Sequence, residues 1–123
     1  MQNPTANPLG PTGLNWNAAF NTGSAALQPS DQAVLNDLAA VLKNCPSVHM
    51  TIVGYTDNVG NPAANLHLSR ARAGSVVAAL LIRGVPKDRL TAEGRGEQEP
   101  IASNSAPEGR ARNRRVDILV TRQ

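Results

Sequence analysis

Two residues of opposite charge stand out because together they could bind a small zwitterion. Asp57 lies in the stretch GYTDNVG at 54–60, directly after an apolar segment, and Arg72 lies in the next segment, which is rich in Ala and Leu. A carboxylate accepts hydrogen bonds from an ammonium group, and a guanidinium can donate two parallel N–H bonds to a carboxylate. The pair therefore predicts a site for the amino-carboxylate headgroup of an amino acid.

The elements that must position this pair follow from the hydrophobic pattern. Apolar residues alternate over 48–53, which predicts a strand that ends just before Asp57. The segment 63–83 has the composition and periodicity of a long helix. Asn65 and Arg72 fall on one face of its first turns. That face points toward Asp57 if the helix packs back on the sheet.

The rest of the chain supplies the remaining elements of an α/β fold. Before the strand at 48–53, we predict a strand at 14–20 and a helix that has Ser30 as its N-cap and ends at Cys45 and Pro46. Gly84 and Pro86 end the long helix. After it, we predict a strand at 90–93, a loop at 94–108, and a last strand containing Val116, Ile118 and Val120. This order predicts a two-layer α/β sandwich with a mixed sheet.

Length and composition indicate a single domain. A chain of 123 residues with 41% hydrophobic content can form one core but not two. Residues 1–13, rich in Pro and Gly, are expected to form an irregular lead or linker, and residues 14–123 the domain. No apolar run is long enough to span a membrane. We therefore expect membrane attachment only through the rest of a longer parent protein.

The basic charge raises the question of nucleic-acid binding. The net charge is +3, and most of the 12 cations are Arg in the second half of the chain. Glu residues are interleaved among these Arg residues, which interrupts any continuous track for phosphates. With aromatic residues at only 2%, no stacking surface for bases is evident either. We predict no nucleic-acid partner.

Metal binding and catalysis are both disfavoured by the residues present. Cys45 is the only cysteine, so no disulfide can form within the chain, and Cys45, His49 and His67 lack the number and spacing of zinc ligands. The turn at Asp57 lacks the later acidic ligands of a calcium loop. Neither Ser69 nor Cys45 has a His with an orienting partner, and no acid/base pair of carboxylates is evident. We predict no cofactor, no metal and no enzyme activity.

The motifs resemble a known family. The segment 54–73, together with Asn104 and the segment 109–116, resembles the OmpA-like C-terminal domain, the peptidoglycan-binding module of bacterial envelope proteins. The resemblance covers about 20–120, nearly the whole chain. It implies a βαβαββ fold with a four-stranded mixed sheet and helices packed on one side. It also implies a location in the bacterial cell envelope, on the periplasmic side, associated with the outer membrane or the wall.

The same resemblance implies a ligand and its binding residues. The ligand would be peptidoglycan, bound non-covalently through the diaminopimelate residue of its stem peptide, so that a cell-envelope protein is anchored to the wall. Asp57 would accept the ammonium hydrogens and Arg72 would bind the carboxylate, both at a solvent-facing pocket. Further ligand contacts are expected from Asn65, Thr56, Thr22, Gly23 and Arg114.

Structural roles for the same residues remain open. Asp57 could be only an Asx-turn residue, and Arg72 only a surface cation. The run Asn113-Arg114-Arg115 is expected to serve partly as a buried ion-pair network that links the loop and the last strand, with Glu97, Glu99 or Glu108 as partners.

A different function also remains open. The basic surface could instead belong to an envelope protein–protein interaction module. Tyr55 stands where the family often has His, and Asn21 where it often has Asp. These two departures leave open whether a free or an amidated diaminopimelate carboxylate fits better.

Overall fold

A computed structural model describes residues 20–122 of the chain. The predicted lead at 1–13 and all but the last residue of the predicted first strand lie outside the described residues. Within them, the helices are α1 (Gln32–Asn44), α2 (Pro62–Ile82) and α3 (Pro107–Asn113), and the strands are β1 (Val48–Gly54), β2 (Leu90–Gly94) and β3 (Val116–Arg122).

The strands form a mixed sheet with β1 at its centre. β2 pairs with β1 in parallel, with Met50 opposite Leu90 and Gly54 opposite Gly94, whereas β3 pairs with β1 in antiparallel orientation on the other side. The predicted α/β class and the mixed sheet are confirmed. Residues 20–122 contain three strands, so the predicted four-stranded sheet is not shown.

One aliphatic core joins α1 and α2 to the sheet. Alternate residues of β1 point into this core because successive strand side chains face opposite sides. The two helices contribute apolar residues at helical spacing, so both lie against the same face of the sheet. The largest buried members of the core are Leu35, Leu38 and Leu42 from α1, Met50 and Ile52 from β1, Val76 and Leu80 from α2, and Val116 and Ile118 from β3.

The long helix α2 has well-defined ends. The Asn61 side chain accepts hydrogen bonds from the backbone N–H groups of Ala63 and Ala64, and Pro62 occupies the first turn, where its missing N–H has no consequence. Beyond the last turn, Gly84 has a φ of +89°. A residue without a Cβ adopts this left-handed conformation most readily. The helix predicted at 63–83 is thus confirmed.

Two local predictions are wrong. Ser30 is not the N-cap of α1, because Pro29–Asp31 forms a 3-10 turn and the Asp31 carboxylate accepts the backbone N–H of Gln28 at 2.7 Å instead. The loop predicted at 94–108 ends earlier, because α3 begins at Pro107. Pro is compatible with the first turn of a helix, and Pro107 therefore marks the start of α3 rather than a continuation of the loop.

A close approach of α2 to β1 sets the position of the site. A Cβ atom added to Gly54 would overlap the backbone carbonyl of Ser69, and one added to Gly94 would lie 2.6 Å from the Ser69 hydroxyl oxygen. The absence of side chains at these two strand ends therefore lets the middle of α2 rest directly on the sheet.

We predict that Gly54→Ala destabilises the domain strongly. The methyl group would force α2 away from β1, and the free energy of unfolding should fall by about 3 kcal/mol or more. Gly74→Ala is the matched control, since nothing lies within 4 Å of a Cβ there and the position is inside α2. This control should stabilise the helix by about 0.5–1 kcal/mol. Urea denaturation of both variants checks the difference, and equal effects would contradict the close approach.

Candidate functional site

The predicted site residues lie around the C-terminal ends of β1 and β2. The chain leaves β1 through Tyr55 and Thr56, and the backbone N–H of Thr56 donates to the carbonyl of Gly96, which follows β2, at 2.8 Å. On the other side, the backbone N–H of Tyr55 donates to the carbonyl of Arg115, just before β3. The segment that carries Asp57 is therefore fixed from two sides.

Asp57 is 5% exposed and has two partners. One carboxylate oxygen accepts a hydrogen bond from the backbone N–H of Val59 at 3.0 Å, which forms an Asx turn. The other lies 2.9 Å from the Nη1 atom of Arg114 in an ion pair. Because a carboxylate can accept about four hydrogen bonds, the side chain retains capacity for another donor.

Arg72 is 0% exposed, so the prediction of a solvent-facing side chain is wrong for this residue. Its guanidinium donates to three backbone carbonyls, those of Ser24 at 2.8 Å, Tyr55 at 3.0 Å and Asn21 at 3.0 Å. It also lies over the ring of Phe20, at 5.1 Å from the ring centre. Asp57 is likewise nearly enclosed rather than open to solvent.

The charge of Arg72 is only partly compensated. Burial and the nearby charge of Arg114 lower the pKa of Arg72 to about 10, while Asp57 acts in the opposite direction. The group is thus still cationic at neutral pH. Its three acceptors are neutral carbonyls, and within residues 20–122 no carboxylate forms an ion pair with it. A guanidinium has five N–H bonds, so two remain for a further acceptor.

Asn65 lies on the same buried face of α2 as Arg72, as predicted. Its Nδ2 atom donates to the carbonyl of Val59 at 3.0 Å and to the Glu97 carboxylate at 3.2 Å, and it is 3.5 Å from the carbonyl of Asp57. All three neighbours are acceptors, so the Nδ2 atom must face them. The Oδ1 atom of the amide therefore points away from these three acceptors. Glu97 was not predicted as a site residue.

Of the predicted supporting residues, Thr56 has a structural contact, whereas Thr22 and Gly23 lie in an exposed turn. The Thr56 hydroxyl donates to the carbonyl of Asp57 at 2.8 Å. Thr22 and Gly23 are exposed in a turn closed by a hydrogen bond from Ser24 N–H to Asn21 carbonyl, and Gly23 has a φ of +71°. This turn at 21–24 supplies two of the three carbonyls that hold Arg72.

Arg114 connects Asp57 to the start of the described chain. Its Nε atom donates to the carbonyl of Phe20 at 2.8 Å, in addition to its ion pair with Asp57. The neighbouring Arg115 pairs with Asp117 and stacks on the Tyr55 ring at 3.9 Å. The predicted ion-pair network is therefore present, but its carboxylates were predicted wrongly as Glu97, Glu99 or Glu108.

Asn113, the remaining member of the predicted run, stabilises a loop. It is completely buried, and its Oδ1 atom accepts the backbone N–H groups of Ile101 and Ala102. Its Nδ2 atom donates to the side chain of Asn104 at 2.8 Å. Asn104 was part of the motif that suggested the family, and the structure gives it this loop contact.

Residues 20–122 show neither a cluster of metal-binding side chains nor a helix of membrane-spanning character. No three His, Cys, Asp or Glu side chains come together there as a group that could hold a metal ion. In the same part of the chain, no helix is both long and apolar enough to cross a membrane.

Residues 19–114 match the OmpA family, and the chain belongs to that family. The resemblance found in the motifs is thus confirmed over most of the chain.

Curated relatives share much of this sequence. Over 102 residues, the chain is 49% identical to the "Peptidoglycan-binding protein ArfA" of Mycobacterium tuberculosis, a match that covers 83% of this chain and 31% of that protein. It is 43% identical to the "Probable lipoprotein YiaD" of Escherichia coli over 85% of this chain and 48% of that protein. The chain therefore spans less than half the length of each of these two relatives.

Two solved structures of similar fold carry names that refer to peptidoglycan or the cell wall. The peptidoglycan-associated lipoprotein from Burkholderia pseudomallei superposes with a TM-score of 0.83 at 33% identity, covering 85% of this chain and 89% of that chain. The cell wall anchor of the T6SS from Pseudomonas aeruginosa gives a TM-score of 0.71 at 35% identity, covering 86% of this chain and 76% of that chain.

We predict that Arg72→Ala lowers the free energy of unfolding by about 2–4 kcal/mol, because three buried carbonyls lose a charged donor. Arg70→Ala is the matched control, since Arg70 is exposed and lies on the same helix. It should change stability by less than about 0.5 kcal/mol. Urea denaturation measures both, and an Arg72→Ala variant as stable as the control would show that the carbonyl contacts are weak.

Proposed function

We propose that this domain binds peptidoglycan non-covalently through the diaminopimelate residue of the stem peptide and anchors a cell-envelope protein to the wall on its periplasmic side. Membership of the OmpA family supports this proposal, as do the relatives named for peptidoglycan binding and for a cell wall anchor. The observation that carries it is Arg72, a buried cation that has two N–H bonds left and lies in one cluster with Asp57.

In this proposal the ammonium group of the ligand binds to Asp57. The carboxylate has capacity beyond its bonds to Val59 and Arg114, and the Oδ1 atom of Asn65 adds a second acceptor. Asn65 thus serves the ammonium end of the ligand. The hydrogen bonds that its Nδ2 atom already donates leave that group no capacity for a ligand carboxylate.

The carboxylate of the ligand binds to Arg72. Since Arg72 has no exposed surface, the carboxylate reaches the Nη atoms when Asn21, the first residue of the turn at 21–24, moves aside. It then takes the place of the Asn21 carbonyl, which lies 3.0 Å from Nη2. A neutral acceptor is exchanged for a charged one, and hydrogen bonds to charged groups contribute on the order of 1.5–3 kcal/mol. Thr22 and Gly23 of the turn lie beside the incoming group.

A single site of this kind has modest affinity, and anchoring does not need more. The ligand gains few bonds and must displace existing ones, which limits the free energy of binding. The wall presents the same headgroup many times. A domain tethered beside it rebinds at high effective concentration, so weak contacts still give durable anchoring.

We predict that Asp57→Asn weakens binding of a soluble diaminopimelate stem peptide at least about tenfold, because the ammonium loses a charged acceptor. Asp88→Asn makes the same charge change at an exposed residue near the start of β2, at the other end of the sheet. This control should bind like the unmutated domain. Isothermal titration calorimetry measures both, with thermal unfolding to verify that each variant is folded.

A stem peptide with lysine in place of diaminopimelate completes the design, because it keeps the side-chain amine and lacks the carboxylate beside it. It should bind at least about tenfold more weakly to the unmutated domain. Undiminished binding by Asp57→Asn would contradict the site. No binding of either peptide to the unmutated domain would favour the alternative of an envelope protein–protein interaction module.

A further inference from the structure

A groove of about 290 Å³ lies between the first turns of α2 and the segment that follows β2. Ala63 and Leu66 line it from the helix, and Arg95, Gly96 and Glu97 line it from the opposite side. None of these residues was predicted to contact a ligand.

The floor of the groove is held by hydrogen bonds on both sides of Gly96. Its N–H donates to the Ser69 hydroxyl at 2.9 Å, and its carbonyl accepts from the backbone of Thr56 at 2.8 Å. Gly96 has a φ of +61°, and a Cβ there would lie 3.5 Å from the Cα atom of Leu66. The groove is therefore formed by a fixed backbone, which lowers the cost of ordering on binding.

The groove is a neighbour of the Asp57 segment, and Asn65 connects the two by hydrogen bonds. The Asn65 amide donates to the Glu97 carboxylate in the groove wall and also to the carbonyl of Val59, two residues after Asp57. A peptide segment attached to a headgroup at Asp57 therefore has this groove next to it.

The lining of the groove suits an extended peptide. Ala63 and Leu66 provide an apolar wall, while Arg95 provides N–H donors with its side chain 32% exposed. The ion partners of Arg95 are Glu93 and Glu99, both largely open to solvent. Such exposed ion pairs are weak, so the guanidinium can still donate to an oxygen of a ligand.

We infer that this groove is an extended subsite for the peptide segment next to the zwitterionic headgroup. Ala63 and Leu66 contact a small aliphatic side chain of that segment, and Arg95 donates to one of its carbonyl or carboxylate oxygens. The inference rests on the proposed function, because the headgroup at Asp57 places the segment.

The test compares free diaminopimelate with a stem tripeptide that ends in diaminopimelate, both titrated into the whole chain by calorimetry. Contacts in the groove should make the tripeptide bind about tenfold more tightly than the free amino acid. Ala63→Leu fills the groove and should remove this advantage while leaving the affinity for free diaminopimelate unchanged. Ala64→Leu, also exposed and next along the helix but outside the groove, should retain both affinities.

The outcomes separate the two proposals. Equal affinities of the unmutated chain for the two ligands would overturn the subsite and leave the headgroup site in place. An Ala63→Leu variant that keeps the full advantage for the tripeptide would also overturn it. Failure of both ligands to bind would overturn the proposed function and this inference with it.

Discussion

The burial of the Arg72 guanidinium is the constraint on which the arrangement of the site depends. A buried charge must keep its hydrogen bonds, because an unpaired one is far more costly than an exposed one. Arg72 meets this requirement with carbonyls from the turn at 21–24 and from Tyr55, so one side chain of α2 holds two segments that are distant in sequence. The residue proposed to bind the ligand therefore also holds the walls of its site together.

The charges around Arg72 are arranged in a way that a zwitterion can complement. Asp57 is paired with Arg114, whereas the acceptors of Arg72 within the described residues are neutral. An ammonium group at Asp57 and a carboxylate at Arg72 would give each charge a partner of opposite sign. Because the ligand replaces existing hydrogen bonds, its net gain is the difference between old and new partners, which explains why modest affinity is expected.

The parts of this molecule that sequence could predict are those with local patterns. The strand before Asp57 and the long helix α2 follow from periodicity and end signals, and their predicted bounds agree with the structure to within about one residue. The seven-residue α3 is too short for a periodic pattern, and its Pro107 also suits a loop. The burial of Arg72 and its contacts with the turn at 21–24 depend on how distant segments pack, and no local pattern reports that.

The most direct test of this account is a ¹⁵N NMR titration of the arginine side chains with diaminopimelate. The account predicts that the Nη signals of Arg72 shift in a saturable way, because the ligand carboxylate replaces the Asn21 carbonyl. The Nε signal should change less, since its bond to the Ser24 carbonyl is not the bond that the ligand replaces. Saturable shifts at Arg114 or Arg95, with Arg72 unchanged, would contradict the central claim that the buried arginine binds the ligand.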